Sequence, residues 1–353
     1  MFKKNLIVIT ISTILVVLAG CNGTKSETAT GTKDDQLTTI TFTEPARILS
    51  LAPFYVAIEQ GFFKEEGIEA NISSGGGGAQ VIASLLSGQA QFAISGPRSM
   101  FAAIEAGEDL VAIQSLNSAL TYEIALSNQY LKDNKLSVDA ALKDRIAALN
   151  GATIGTNLVG DSGDIYTRYL MKLHGQDPSS LKTVKLTGGG PKIGGMKESI
   201  VDGGISSPPF SLQVQEQGVG DLWIKLSEEP MYANMVWEVV FADKEYLEKN
   251  QDLAVKVVRA VGKGIEFTRD NPKEAAESIV SYFDGVNVKV LEKSLIGLKD
   301  TFKGYGEMNQ EAWDNAQDPL VEYAEMSGVK MEHDTKPGGI WTNKYIEEAF
   351  STK

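Results

Sequence analysis

From Thr38 onward the chain alternates short apolar runs with longer segments whose apolar positions share one helical face. In TTITFTEP, Ile40 and Phe42 fall on one side, the period of two that marks a strand. SLAPFYVAIEQGFFKEEG follows, with Pro53 suited to a first helical turn and Gly61 to a stop. IEANISS is a second strand, and in AQVIASLLSG the residues Val81, Ile82, Leu85 and Leu86 line a helical face that Gly88 ends. AQFAIS, GPRSMFAAIEAG and DLVAIQSL continue as strand, helix and strand. This β-α-β-α-β-α-β order predicts a mainly parallel sheet covered by helices.

A new run opens at ALTYEIALSN, and the alternation repeats. LNGATIGTNL and LKTVKLTG read as strands, SGDIYTRYLMKLHG as the helix between them, and MKESIVDGG as a helix and turn. ISSPPFSLQVQEQG is a short strand leading into a helix, and MVWEVVFADKEYLEKN a strand returning to the first unit. The remainder is helical, and no short-period repeat of the solenoid kind is present. The pattern predicts an α/β protein of two lobes. Residues 37–121 and 233–353 form a discontinuous first lobe, residues 122–232 form an inserted second lobe, and two crossing strands form a hinge.

The first residues alter this picture. Lys3 and Lys4 precede an apolar stretch from Leu6 to Leu18, then LAGC, which predicts a secretory signal over residues 1–20. LAGC resembles the lipobox of bacterial lipoproteins, which implies cleavage before Cys21 and a diacylglycerol on its sulfur. Cys21 is the only cysteine, so no intramolecular disulfide forms and the fold must hold by its core. Residues 21–36 are polar and rich in Thr, Ser and Gly, a flexible tether. The expected location is the extracytoplasmic face of the cell membrane, held by lipid. The formal net charge of −13 makes nucleic acid and anionic lipid poor partners. It leaves an anionic ligand open, because a local site can oppose the global field.

Candidate chemistry collects at strand-to-helix junctions, where parallel α/β sheets bind ligands and helix starts present unpaired N–H groups. SSGGGGAQ, with Ser74, Gly75, Gly76 and Gly77, offers bare backbone at such a start. A phosphate-cradling loop would need Lys and Ser or Thr after its second glycine, whereas Ala79, Gln80 and Val81 follow here. The loop is either ligand-facing or a tight structural turn. SLAPFY offers Ser50, Ala52 and the Tyr55 ring, the latter also readable as core packing. ISGPRS offers Ser95, Gly96 and Arg98; the guanidinium either grips an anion bidentately or stays at the surface. NLVGDSGD supplies Asn157, Ser162 and Gly163, with Asp161 better read as an N-cap. ISSPPF supplies Ser206 and Ser207, with Pro208 and Pro209 stiffening a wall or making a plain turn. Trp237, in the returning strand, either stacks on a planar ligand or packs in the core. Trp223, Trp313 and Trp341 read as packing residues, and His174 and His333 as solvent-exposed. With so few histidines and one cysteine, zinc and iron–sulfur sites lack ligands, and no GxSxG or HExxH motif occurs. No cofactor or metal and no catalytic residue is expected.

The order of features resembles the solute-binding lipoproteins of ABC importers, in the branch for nitrate, sulfonate, taurine and thiamine-precursor pyrimidines. The resemblance runs from about residue 38 to 350 through APFYVAIEQGFFKEEGIEANI, GGGGAQVIASLLSGQAQFAISGP, LNGATIGTNLVGDSGDIYTRYL, VDGGISSPPF and NPKEAAESI. It implies a type II periplasmic-binding fold, closing as a monomer over a small solute and docking on a permease with its ATPase. Helix starts from both lobes favour an anionic, sulfonate-, taurine- or nitrate-like solute. Tyr55 and Trp237 keep a planar pyrimidine open. Two other classes remain: a ligand-sensing surface lipoprotein without transport, and a pyrimidine-precursor synthase that uses PLP and a sacrificial His. Synthases of that kind are intracellular and carry a cysteine-rich motif, which this chain lacks.

Overall fold

The computed structural model describes residues 37–327 and 332–351; the expected signal segment 1–20, Cys21 and the tether to residue 36 lie outside the described residues. Among the described residues, ten strands form two five-stranded sheets. The first has the order β2-β1-β3-β10-β4, with β1 Thr38–Glu44, β2 Ile68–Ser74, β3 Phe92–Ser95, β4 Leu110–Asn117 and β10 Trp237–Asp243. The second has the order β7-β6-β8-β5-β9, with β5 Glu123–Ser127, β6 Thr153–Thr156, β7 Lys182–Lys185, β8 Gly203–Ser206 and β9 Gly220–Lys225. Each sheet is parallel except for one strand. β10 runs antiparallel between β3 and β4, and β5 antiparallel between β8 and β9. Each exceptional strand is the first one after a crossing, β5 after residues 118–122 and β10 after residues 226–236. The α/β architecture of two helix-flanked sheets is the one the patterning predicts. Both sheets belong to one compact unit, Gln36–Lys353.

Strands buried on both faces read as apolar runs, as in parallel β3 and β4 and antiparallel β5, which are buried at every position. Under the first sheet an aromatic knot fills the core. The Phe42 ring lies 4.9 Å from that of Phe54, 5.3 Å from Phe63 and 5.5 Å from Phe92. The long helix Gln251–Asp270 crosses the helix Ala52–Glu59 so closely that a Cβ on Gly264 would lie 2.1 Å from the Pro53 carbonyl oxygen. Only glycine permits that approach. Among the described residues no helix is long and apolar enough to cross a membrane.

Three local expectations change. β9 was not expected, because DLWIK is short and gains strand structure only by pairing with distant β5. The helix expected at MKESIVDGG lies instead at Gly189–Lys197, where Pro191 in the first turn favours a helical start and Ile193 and Met196 are buried. The histidines are not free in solvent. His174 Nε2 lies 2.8 Å from Glu229 Oε2, and the His333 ring stacks on Phe101 at 5.4 Å. Trp223, Trp313 and Trp341 are core residues, as expected.

Candidate functional site

The glycine run at residues 75–78 follows β2 and opens the helix Gly77–Leu86. Gly75, Gly76 and Gly77 have φ of +109°, +82° and +72°, the left-handed region where side chains are strained. Gly78 is required for space, since a Cβ there would sit 2.1 Å from Ser99 Oγ. The amides of Gly75 and Gly77 donate to the carbonyls of Glu44 and Pro45, each at 3.1 Å, which fixes the turn against β1. No side chain caps the helix that follows. The run is therefore a tight turn that also leaves a helix start open beside Ser99, and Ser99 Oγ receives a 3.1 Å hydrogen bond from Ser95 Oγ.

Gly96, next to Ser95, backs onto the Trp237 indole; a Cβ there would lie 3.4 Å from the ring. Trp237 opens β10, is 3% exposed, and lies edge-on to Tyr122 at 5.2 Å and to Tyr166 at 5.9 Å. Tyr166 belongs to the helix Ser162–Leu173, packed with the second sheet, so this aromatic trio joins the two sheets. Of the five buried side-chain polar atoms without a partner among the described residues, three belong to residues around Tyr122, whose hydroxyl feels both Arg98 and Glu238: Arg98 Nε, Trp237 Nε1 and Glu238 Oε2. Buried polar groups are nearly always paired, so three orphans around one junction mark it as the candidate ligand site. Arg98 makes no ion pair among the described residues.

Glu238 carries the strongest anomaly. It is 3% exposed, has φ of +54° as the second residue of β10, and makes one long contact, 3.3 Å from Ser50 Oγ to its Oε1. A non-glycine residue held in that conformation stores strain of the kind found at ligand sites. Burial pushes its carboxyl up to about 8, with a smaller opposing effect from Ser50 and a small further push from Glu44. The Tyr122 hydroxyl is raised well above its ordinary value, by burial first and then by Asp161 and Glu238.

The remaining sequence candidates divide. Ser50, Ser95, Gly96, Arg98 and Trp237 come together at the carboxyl ends of the first sheet's strands. Ala52 is buried at the start of its helix. Tyr55 is fully buried, its hydroxyl donating to Glu44 Oε2 at 2.8 Å and its ring stacked on Tyr282 at 4.7 Å. Ser74 bonds the same Glu44 carboxyl. On the second sheet Asp161 is the N-cap of Ser162–Leu173, accepting from the Asp164 amide and the Thr156 hydroxyl. Gly163 is buried because a Cβ would stand 3.2 Å from Asp161 Oδ1 and 3.3 Å from Ile205. Ser162 and Ser206 are half-buried, and Ser207 Oγ lies 2.8 Å from Thr121 Oγ1 in the crossing segment. Asn157 Oδ1 accepts from the Gly188 amide and from Lys192 Nζ. Glu238, Tyr122, Tyr166 and Lys192 escaped sequence reasoning. The signal for Glu238 was a lone acid inside an apolar strand. No group of three or more metal-ligating side chains occurs among the described residues.

Residues 49–275 match the protein family described as "NMT1/THI5 like". YtlA of Bacillus subtilis (strain 168), provisionally named a binding protein, is 23% identical over 331 residues, 91% of this chain and 92% of its own. The periplasmic nitrate-binding protein NrtA from Synechocystis PCC 6803 superposes with a TM-score of 0.68 at 17% identity, over 90% of this chain and 89% of that one. The periplasmic aliphatic sulphonate-binding protein SsuA from Escherichia coli gives 0.66 at 15% identity, over 84% and 90%. At these identities the structural likeness is one of fold, the periplasmic-binding fold.

Proposed function

We propose, starting from the fact that the chain belongs to the NMT1/THI5-like family, that it is the extracytoplasmic solute-binding subunit of an ABC importer. Two lobes, one around each sheet, close over a small polar solute bearing an anionic group and hand it to a permease. The observation that carries this reading is that three residues grouped around Tyr122 each keep an unpartnered buried polar atom, Arg98 Nε, Trp237 Nε1 and Glu238 Oε2. With its carboxyl raised to about 8, Glu238 is mostly protonated at neutral pH, so the Arg98 charge is not cancelled by its neighbour. The site then offers an anion the guanidinium, the indole N–H, the carboxyl O–H and the uncapped amides that follow Gly77 at its helix start. The nitrate- and sulphonate-binding proteins that share the fold support the same choice of charge. Because Trp237 is 3% exposed, entry requires the sheets to part, and the solute stabilises whichever arrangement it binds better. Lipid on Cys21 would hold the protein at the membrane.

A planar heterocycle is the second reading, favoured by the Trp237, Tyr122 and Tyr166 rings around a carboxyl able to pair with ring N–H groups. A thermal-shift series against nitrate, methanesulfonate, 2-aminoethanesulfonate and an aminopyrimidine separates the two. A ligand at a hundred times its Kd adds about 2.7 kcal/mol. Arg98→Ala should abolish the response to anions and spare that to the aminopyrimidine; an unchanged anion response removes the arginine clamp. Deletion of the protein in cells should stop uptake of the same solute, whereas a sensor without transport would leave uptake intact.

A further inference from the structure

The second sheet holds a cation that the fold alone does not account for. Lys192 lies in the first turns of the helix Gly189–Lys197 and has no exposed surface. Its stem lies in a slot bared by two glycines. A Cβ on Gly155 of β6 would stand 3.3 Å from Lys192 Cγ, and one on Gly204 of β8 would stand 3.3 Å from Lys192 Cβ. The ammonium lies 5.9 Å from the centre of the Phe210 ring and donates one hydrogen bond, 2.9 Å to Asn157 Oδ1. An ammonium has three N–H donors, and a buried one is ordinarily paired with an acid. Among the described residues no carboxylate lies within ion-pair distance of Lys192. Asp161 is the acid that acts on it, yet the Asp161 oxygens already accept from the Thr156 hydroxyl and from the amides of Asn157, Leu158 and Asp164. Burial lowers the Lys192 ammonium to about 8, the direction expected of a cation lacking its counterion.

Its place in the fold is equally informative. The orders β2-β1-β3 and β7-β6-β8 correspond, so Gly188–Gly190 after edge strand β7 occupies in the second sheet the place of Gly75–Gly78 after edge strand β2. Gly188 is left-handed at φ +89°, and no side chain caps its helix either. Asn157, at the end of β6, bridges the two donors, since its Oδ1 accepts from both the Gly188 amide and Lys192.

We propose that Lys192 is a specificity-determining residue which takes an anionic oxygen of the solute from the second sheet, in addition to the Asn157 amide oxygen it already binds. This rests on the solute-binding function proposed above and extends it. The anion is gripped from both halves, by Arg98 on one and Lys192 on the other, so closure is coupled to the charge of the guest. A neutral isostere of the solute would leave Lys192 without its counterion and the closed arrangement disfavoured.

Lys192→Met and Lys192→Gln test it, the second keeping a donor for Asn157 without the charge. Calorimetric affinity is measured for whichever of nitrate, methanesulfonate and 2-aminoethanesulfonate stabilises the wild type most, alongside the melting temperature of each free protein. The expected result is a loss of about tenfold or more in affinity in both variants, with free melting temperatures equal to or above the wild type. A structural lysine would behave oppositely: lower melting temperatures with affinity within about twofold of wild type, which overturns the proposal. Equal affinity with unchanged melting also overturns it, while leaving the importer reading intact. If none of the three anions stabilises the wild type, the anionic reading of the whole site fails, and this proposal with it.

Discussion

Replacing Glu238 by Gln isolates the cost of a buried carboxyl. The unfolded chain releases that proton near 4.5, whereas the native site holds it up to about 8. Between those values the native state carries the extra proton, so wild-type stability must fall as pH rises, by about 1.4 kcal/mol per unit. Over the whole window the loss is roughly 5 kcal/mol, a large share of what a folded domain usually has. The stability from this group is fully present below 4.5 and gone above about 8. Glutamine has the same shape, keeps a hydrogen bond to Ser50, and has no proton to lose. The variant should match the wild type near pH 4.5, exceed it by about 3 kcal/mol at pH 7, and by about 5 kcal/mol above pH 8. Glu123, whose carboxyl burial also raises, titrates in both proteins and cancels in the difference, whereas Glu44, which pushes Glu238 slightly upward, cancels only in part. Urea unfolding at unit intervals from pH 4.5 to 8.5 reads the gap directly. A gap that stays constant, or narrows as pH rises, refutes the argument that Glu238 is protonated at neutral pH.

Gly78→Ala drives a Cβ to 2.1 Å from Ser99 Oγ and should cost about 1–3 kcal/mol of stability; Ser99→Ala added to it should restore most of that in the same unfolding assay. Tyr55→Phe removes the hydroxyl that donates to buried Glu44 and should cost about 1–3 kcal/mol near neutral pH, shrinking in acid as Glu44 protonates. Gly264→Ala places a methyl 2.1 Å from the Pro53 carbonyl and should destabilise by several kcal/mol, with a visible shift of the two crossing helices in a crystal structure.

The periodicities exposed the fold because strand and helix alternate with glycine stops, and the returning strand announced itself in MVWEVVF. Local pattern failed where distant pairing decides the outcome, as at β9, a strand only beside β5. The first half of the site was legible, since Ser95, Gly96 and Arg98 occupy one junction and Trp237 sits in the returning strand. Glu238 was not. An acid between Trp237 and Val239 reads as the solvent side of an alternating strand, yet β10 is interior to its sheet and buried on both faces. Lys192 hid similarly, because a lysine among glycines reads as surface. Only the facing glycines on β6 and β8 show that room was made for its stem. Tyr55 shows the reverse, an aromatic at a promising junction whose hydroxyl is already engaged by Glu44.

The first sheet takes β10 from beyond the inserted residues 123–225, and this governs assembly. During synthesis β1 to β4 can gather, but the gap between β3 and β4 closes only when Trp237–Asp243 emerges. Until then both β3 and β4 have unmated backbone along one side. Residues 37–120 are therefore not an autonomous folding unit, and a fragment ending near residue 120 should aggregate through those open edges.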